Sequence, residues 1–104
     1  MPERRFDRKL LHRRWVHAGE EEGEGEMVFR PAEHPLPPAR GRVSLELRED
    51  GTLIERQPGP VDVPEESQGV WELEQEELVL RREGIPERRL RLRALEGDRL
   101  VVER

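Results

Sequence analysis

From residue 42 onward the apolar side chains fall on every second position. Val43, Leu45 and Leu47 alternate with Ser44, Glu46 and Arg48, the period of a strand with one face on a core and one in water. Glu49-Asp50-Gly51 follows. Asp-Gly favours the left-handed turn that matches strand twist, so Thr52 to Arg56 is expected to return as the partner of a hairpin. Gln57-Pro58-Gly59-Pro60 ends it, because proline has no ladder N–H. A polar stretch closing with Glu65-Glu66-Ser67-Gln68 is expected to lead into a strand on which Trp71 and Leu73 share a face. Gln75-Glu76 turns the chain, and Leu78 and Leu80 then alternate with Glu77, Val79 and Arg81 in a second hairpin. Gly84-Ile85-Pro86 is expected to break the pattern again. Arg89 to Arg93 alternates Arg and Leu without a fault, and Glu96-Gly97-Asp98 turns it into Leu100-Val101-Val102.

The first forty residues are less regular. Phe6, Leu10 and Leu11 sit at helical spacing and predict a short helical turn, and Trp15-Val16-His17 reads as a first strand. Residues 20–26 form a Glu/Gly loop, Met27-Val28-Phe29 a second strand, and Pro31 to Pro38 an extended connector with four prolines. The sum is eight short antiparallel strands and one helical turn. With no helix long enough to cover a sheet, the apolar face is buried by closure. The expected architecture is therefore all-β: one eight-stranded antiparallel up-and-down barrel spanning residues 1–104, with 1–10 as an N-terminal segment. A barrel of eight strands has an interior that side chains fill or that holds one small ligand.

Several of these segments, taken in order, resemble the small bacterial lipocalin-like domain proteins. They are Trp15-Val16-His17-Ala18, the Glu-rich loop followed by Phe29-Arg30-Pro31, Pro37 to Arg42 entering a strand, Asp50-Gly51, and Gly69-Val70-Trp71 with two hairpins after it. The resemblance runs from about Leu11 to the C-terminus. It implies a calycin-type barrel in a group whose biochemical role is largely undefined. Larger lipocalins carry Gly-x-Trp in the first strand, with the Trp at the closed end under an Arg; here Trp15 lacks the Gly and the full spelling occurs at Gly69-Val70-Trp71.

Composition narrows the function classes. The 104 residues include 24 acids and 19 bases, for a net charge of −5, and 18 of the 19 bases are arginine. Such charge density raises the question of disorder, but Leu, Ile, Val and Phe make up a quarter of the chain, above the roughly 20% below which chains fail to fold. No apolar run exceeds three residues, so no membrane-spanning helix is expected, and the N-terminus reads as a cytoplasmic protein's rather than an export signal. With no Cys, Tyr or Asn, two Ser, one Thr and three scattered His, neither an enzyme nor a metal or other cofactor is expected. Ser44 is placed toward solvent by alternation. The basic cluster Arg4, Arg5, Arg8, Lys9, Arg13 and Arg14 is followed at once by Glu20 to Glu26, and few aromatics could stack on bases, so no nucleic-acid partner is expected. The Arg89-Arg91-Arg93 row is expected to pair across strands with Glu72, Glu74 and Glu77.

Two features remain as candidate sites. One is the interior, walled by Trp15, Phe29, Val43, Leu45, Leu47, Trp71, Leu73, Leu78, Leu80, Leu90, Leu92, Leu100 and Val102, a list with almost nothing polar. The other is Arg40-Gly41-Arg42, where a stiff proline approach would aim a guanidinium at the barrel mouth or pair it with Glu33 or a loop acid. The expected function is binding of a small apolar or amphipathic anion by Arg40, Arg42, Trp15, Phe29 and Trp71. The competing expectation is a non-enzymatic protein-interaction or inhibitor-type barrel that uses its loop rim.

Overall fold

In the computed structural model, which describes residues 6–37, 42–57 and 65–103, eight strands close into an antiparallel barrel. They are β1 (Arg14–His17), β2 (Glu26–Pro31), β3 (Ser44–Leu47), β4 (Thr52–Gln57), β5 (Glu65–Glu74), β6 (Glu77–Arg82), β7 (Ile85–Glu96) and β8 (Arg99–Glu103). Around the barrel they alternate up and down in the order β1-β2-β8-β7-β6-β5-β4-β3. β3 to β8 pair in sequence, whereas β2 sits between β1 and β8. β2 and β3 therefore run in the same direction. Leu36, in the segment after β2, packs on Val28 and Val101, outward-facing residues of β2 and β8, in a small cluster with Ala18 and Ala94. Residues 32–37 thus form a strap laid over the barrel.

Two strands are longer than the alternation suggests. Glu65 to Gln68 is the first half of β5, paired with β4 from Gln57↔Glu65 to Thr52↔Val70, and not a connector. Its inward residue Ser67 is polar because it faces Glu55 rather than a leucine. β7 begins at Ile85 and runs through Pro86; the turn is Glu83-Gly84, with Gly84 at φ 77°. A proline is tolerated there because the β6–β7 register shifts between Leu80 and Arg82 and because β8 does not extend alongside that part of β7.

The core is a single inward cluster: Leu11, Trp15, Phe29, Leu45, Leu47, Leu53, Trp71, Leu78, Leu80, Leu92, Leu100 and Val102, all buried. Leu73 and Leu90 are half-buried against it, and Val43 lies just before β3 and outside it. Ser44 does take the outward parity of Glu46, yet it is buried. It lies between Val16 and Arg56 on the flanking strands, with Arg14 Nε 3.4 Å from its Oγ, and long neighbours shield a short side chain. Val79 is outward and fully buried as well, between Glu72 and Arg89.

One end of the barrel is closed by the predicted helical turn, a 3-10 turn over Arg8–Leu11. The Asp7 side chain caps it by accepting from Lys9 N at 2.9 Å. Leu11 seals the end, and each indole N–H finds a carbonyl: Trp15 Nε1 donates to Leu11 O at 3.2 Å and Trp71 Nε1 to Arg48 O at 2.8 Å. Arg8 lies over the Trp71 ring at 4.4 Å and Arg13 over Trp15 at 5.7 Å. Burying an indole of this size stabilises the fold by roughly 4–6 kcal/mol before entropy is counted.

Candidate functional site

The inward series of four neighbouring strands changes from apolar to polar at the end opposite this plug. Along β4 the inner face reads Leu53 then Glu55; along β5, Trp71, Gly69, Ser67; along β6, Leu78, Leu80, Arg82; along β7, Leu92, Leu90, Arg88. The polar members meet. Arg88 Nη2 donates to Glu55 Oε1 at 2.6 Å, Arg82 Nε lies 3.7 Å from the same oxygen, and Gln57 Nε2 donates to Glu55 Oε2 at 3.3 Å. Arg82 Nη1 donates to Ser67 Oγ. Glu55 is 2% exposed, Arg82 20% and Arg88 42%, so the cluster grades from a buried carboxylate to solvent-reachable guanidinium groups. Its formal charge is +1, and among the described residues Arg82 Nε is buried without a hydrogen-bond partner.

Gly69 makes the cluster possible. A Cβ at this inward position would lie 2.2 Å from the Arg81 carbonyl oxygen and 2.7 Å from Arg82 Cγ, so the stem of Arg82 occupies space that any other residue would fill. Apolar groups share the same end. Ile85 pairs with Arg82 and is exposed, while Leu90 and Met27 are half-buried at the edge of the core. The site thus combines two arginines, a hydroxyl and an accessible apolar fringe. The alternation of each strand contained this signal, since Glu55, Arg82 and Arg88 each continue an inward leucine series by two positions and Ser67 extends the Trp71 series past Gly69.

The residues expected from sequence to bind ligand lie elsewhere. Trp15, Phe29 and Trp71 are buried in the core, with both tryptophans at the plugged end. Arg42 is bound on all sides: its Nη1 donates to His17 O at 2.8 Å and Glu20 Oε1 at 2.9 Å, and its Nη2 to Glu20 Oε2 at 2.6 Å and Pro37 O at 2.8 Å. It clasps the strap to the loop after β1, with Glu20 as the loop acid. Arg40 lies outside the described residues.

The three successive acids of that loop are each bound by a neighbouring side chain. Glu20 is held by Arg42, which lowers its carboxyl from the ordinary 4.5 to about 2. Glu21 is bound by Arg30 at 2.6 Å and likewise lowered. Glu22 meets His17 Nε2 and also accepts from Val28 N at 3.3 Å. His17 has the inward parity of Trp15, its ring 5.5 Å from that of Phe29. On the outer wall, Arg89 bridges Glu74, Glu77 and Glu87, and Arg81 reaches Glu72, Glu74 and Glu87, as expected of cross-strand pairing. Among the described residues no group of three or more His, Cys, Asp or Glu could hold a metal ion, and no helix is long and apolar enough to cross a membrane.

No family model matches this sequence, and no curated protein and no solved structure matches it either.

Proposed function

We propose that the chain is a non-enzymatic, lipocalin-like binding barrel that takes a small amphipathic anion at the end opposite the plug. The anionic head meets Arg82 and Arg88, and the apolar part lies against Ile85, Leu90 and Met27. The ligand class is the one expected from sequence, at different residues. One observation carries the reading: two guanidiniums converge on one buried carboxylate inside an otherwise apolar barrel, with Arg82 Nε left without an acceptor. Burying such charges costs several kcal/mol per ion, and well-packed apolar residues would hold a fold as well, so stability alone does not account for them. The arginines over Trp15 and Trp71 at the closed end support the lipocalin-like comparison. The non-enzymatic part is supported by Ser67, whose hydroxyl accepts from the Arg82 guanidinium.

Calorimetric titration with decanoate, and with decanol as the uncharged control, tests this. Decanoate is expected to bind, decanol at least about ten-fold more weakly, and Arg88→Gln to lower decanoate affinity by about ten-fold, the scale of one lost charge-assisted hydrogen bond. Equal binding of decanoate and decanol, or no binding of decanoate at all, sinks the proposal.

A further inference from the structure

The inward charges at the end opposite the plug do not balance. Arg82 and Arg88 bring two positive charges to one carboxylate, and both oxygens of that carboxylate are held. Glu55 Oε1 accepts from Arg88 Nη2 at 2.6 Å and Oε2 from Gln57 Nε2 at 3.3 Å. Glu55 is also 2% exposed, on a strand flanked by Leu45 of β3 and Ser67 of β5. A carboxylate gripped at both oxygens and enclosed in this way stays in the lumen when a ligand arrives, as a fixed negative charge beside the guanidiniums.

Among the described residues, β1, β2, β3 and β8 add no net positive charge to the inner face at this end. His17 has the inward parity of Trp15, but its Nε2 lies against the Glu22 carboxylate, so the pair is not positive in either form of the ring. Donors do remain for a ligand to use. Arg82 Nε is buried with no partner among the described residues, and Ser67, which accepts from Arg82 Nη1, keeps a hydroxyl proton to give. The site lacks one negative charge and acceptors for these donors.

We propose, on the basis of the anion site described above, that Glu55 restricts it to singly charged heads, a carboxylate or a sulfate ester and not a phosphate monoester. One negative charge on the ligand brings the inward cluster from +1 to neutral. A second stands in excess beside the Glu55 carboxylate, across guanidiniums that both share, where little water screens the repulsion. Glu55 is thus a specificity-determining residue, acting through its charge.

Calorimetric titration of the full chain with decyl sulfate and decyl phosphate at about pH 8 tests this. Both heads are tetrahedral, and only the phosphate monoester, whose second proton leaves at about pH 6, is doubly charged. Decyl sulfate is expected to bind at least about ten-fold more tightly than decyl phosphate. Glu55→Gln raises the cluster from +1 to +2 in nearly the same shape. With its fold confirmed by circular dichroism, it is expected to shift the ratio of the two affinities toward the phosphate by about ten-fold or more. A merely structural role for Glu55 would move both affinities together and leave that ratio alone. Equal binding of the two by the wild type overturns the proposal, and so does a folded Glu55→Gln with the wild-type ratio; should the variant not fold, the wild-type pair of affinities decides. A wild type that binds decanoate without telling sulfate from phosphate keeps the anion site and loses the selectivity, whereas one that binds none of the three loses both.

Discussion

Gly69 shows how one residue decides what the barrel interior holds. It occupies an inward position of β5 where the adjacent leucines and tryptophan would suggest another apolar side chain, and its missing side chain lets Arg82 cross to Ser67 and Glu55. Gly69→Ala forces a methyl against the Arg81 carbonyl and the Arg82 stem, and overpacking of this kind costs about 1–3 kcal/mol. The expected result in urea unfolding is a lower midpoint with an unchanged slope; an unchanged midpoint would mean that Arg82 does not need this space. At this scale the site was legible in part. Glu55 lies two residues beyond Leu53 and opposite Leu45, so hairpin parity alone places it inside. Reading the inner face only for its apolar members hides it. Arg88 was equally accessible to parity, two residues before Leu90. Arg42 was singled out for its proline approach, and the structure gives it to Glu20, His17 and Pro37, a pairing with a loop acid that the sequence left open.

Among the elements, the hairpins announced themselves and the long strands did not. Asp50-Gly51, Gln75-Glu76 and Glu96-Gly97-Asp98 all turn where their residues predict, with Gly51 and Gln75 at positive φ. The polar half of β5 and the Pro86 segment of β7 escaped because a strand lining a polar site loses the apolar alternation by which strands are recognised. The strap over residues 32–37 is held by Leu36 packing and by the Arg42 clasp. Because the Glu20 carboxyl is lowered in the fold, the clasp contributes its full stabilisation above the ordinary value of 4.5 and loses it as the pH falls toward about 2. Carboxyl-carbon NMR is expected to show Glu20 titrating near 2 in the wild type and at a clearly higher pH in Arg42→Met. Hydrogen exchange around Leu36 should accelerate in that variant. Titration of wild-type Glu20 near 4.5 would remove the clasp.

At the level of the whole molecule, charge divides into two populations. Most acids and arginines stand on the outer wall in pairs such as Arg81–Glu87 and Arg30–Glu21, each worth little singly but together fixing register. Glu55, Arg82 and Arg88 are the exception, turned inward where the lumen changes from packed to polar. Closure of eight antiparallel strands was legible from their number and from the lack of a covering helix. The placement of β2 between β1 and β8 was not, since it depends on the path of a connector with no periodic signal. The central claim is that this inward charge cluster is a ligand site. Its most direct measurement is an amide NMR titration of the labelled protein with decanoate. The account predicts saturable shifts concentrated at Glu55, Ser67, Arg82, Arg88 and Leu90, with Leu11 and Trp71 unmoved. An unchanged spectrum, or shifts confined to Arg42 and Pro37, would contradict it.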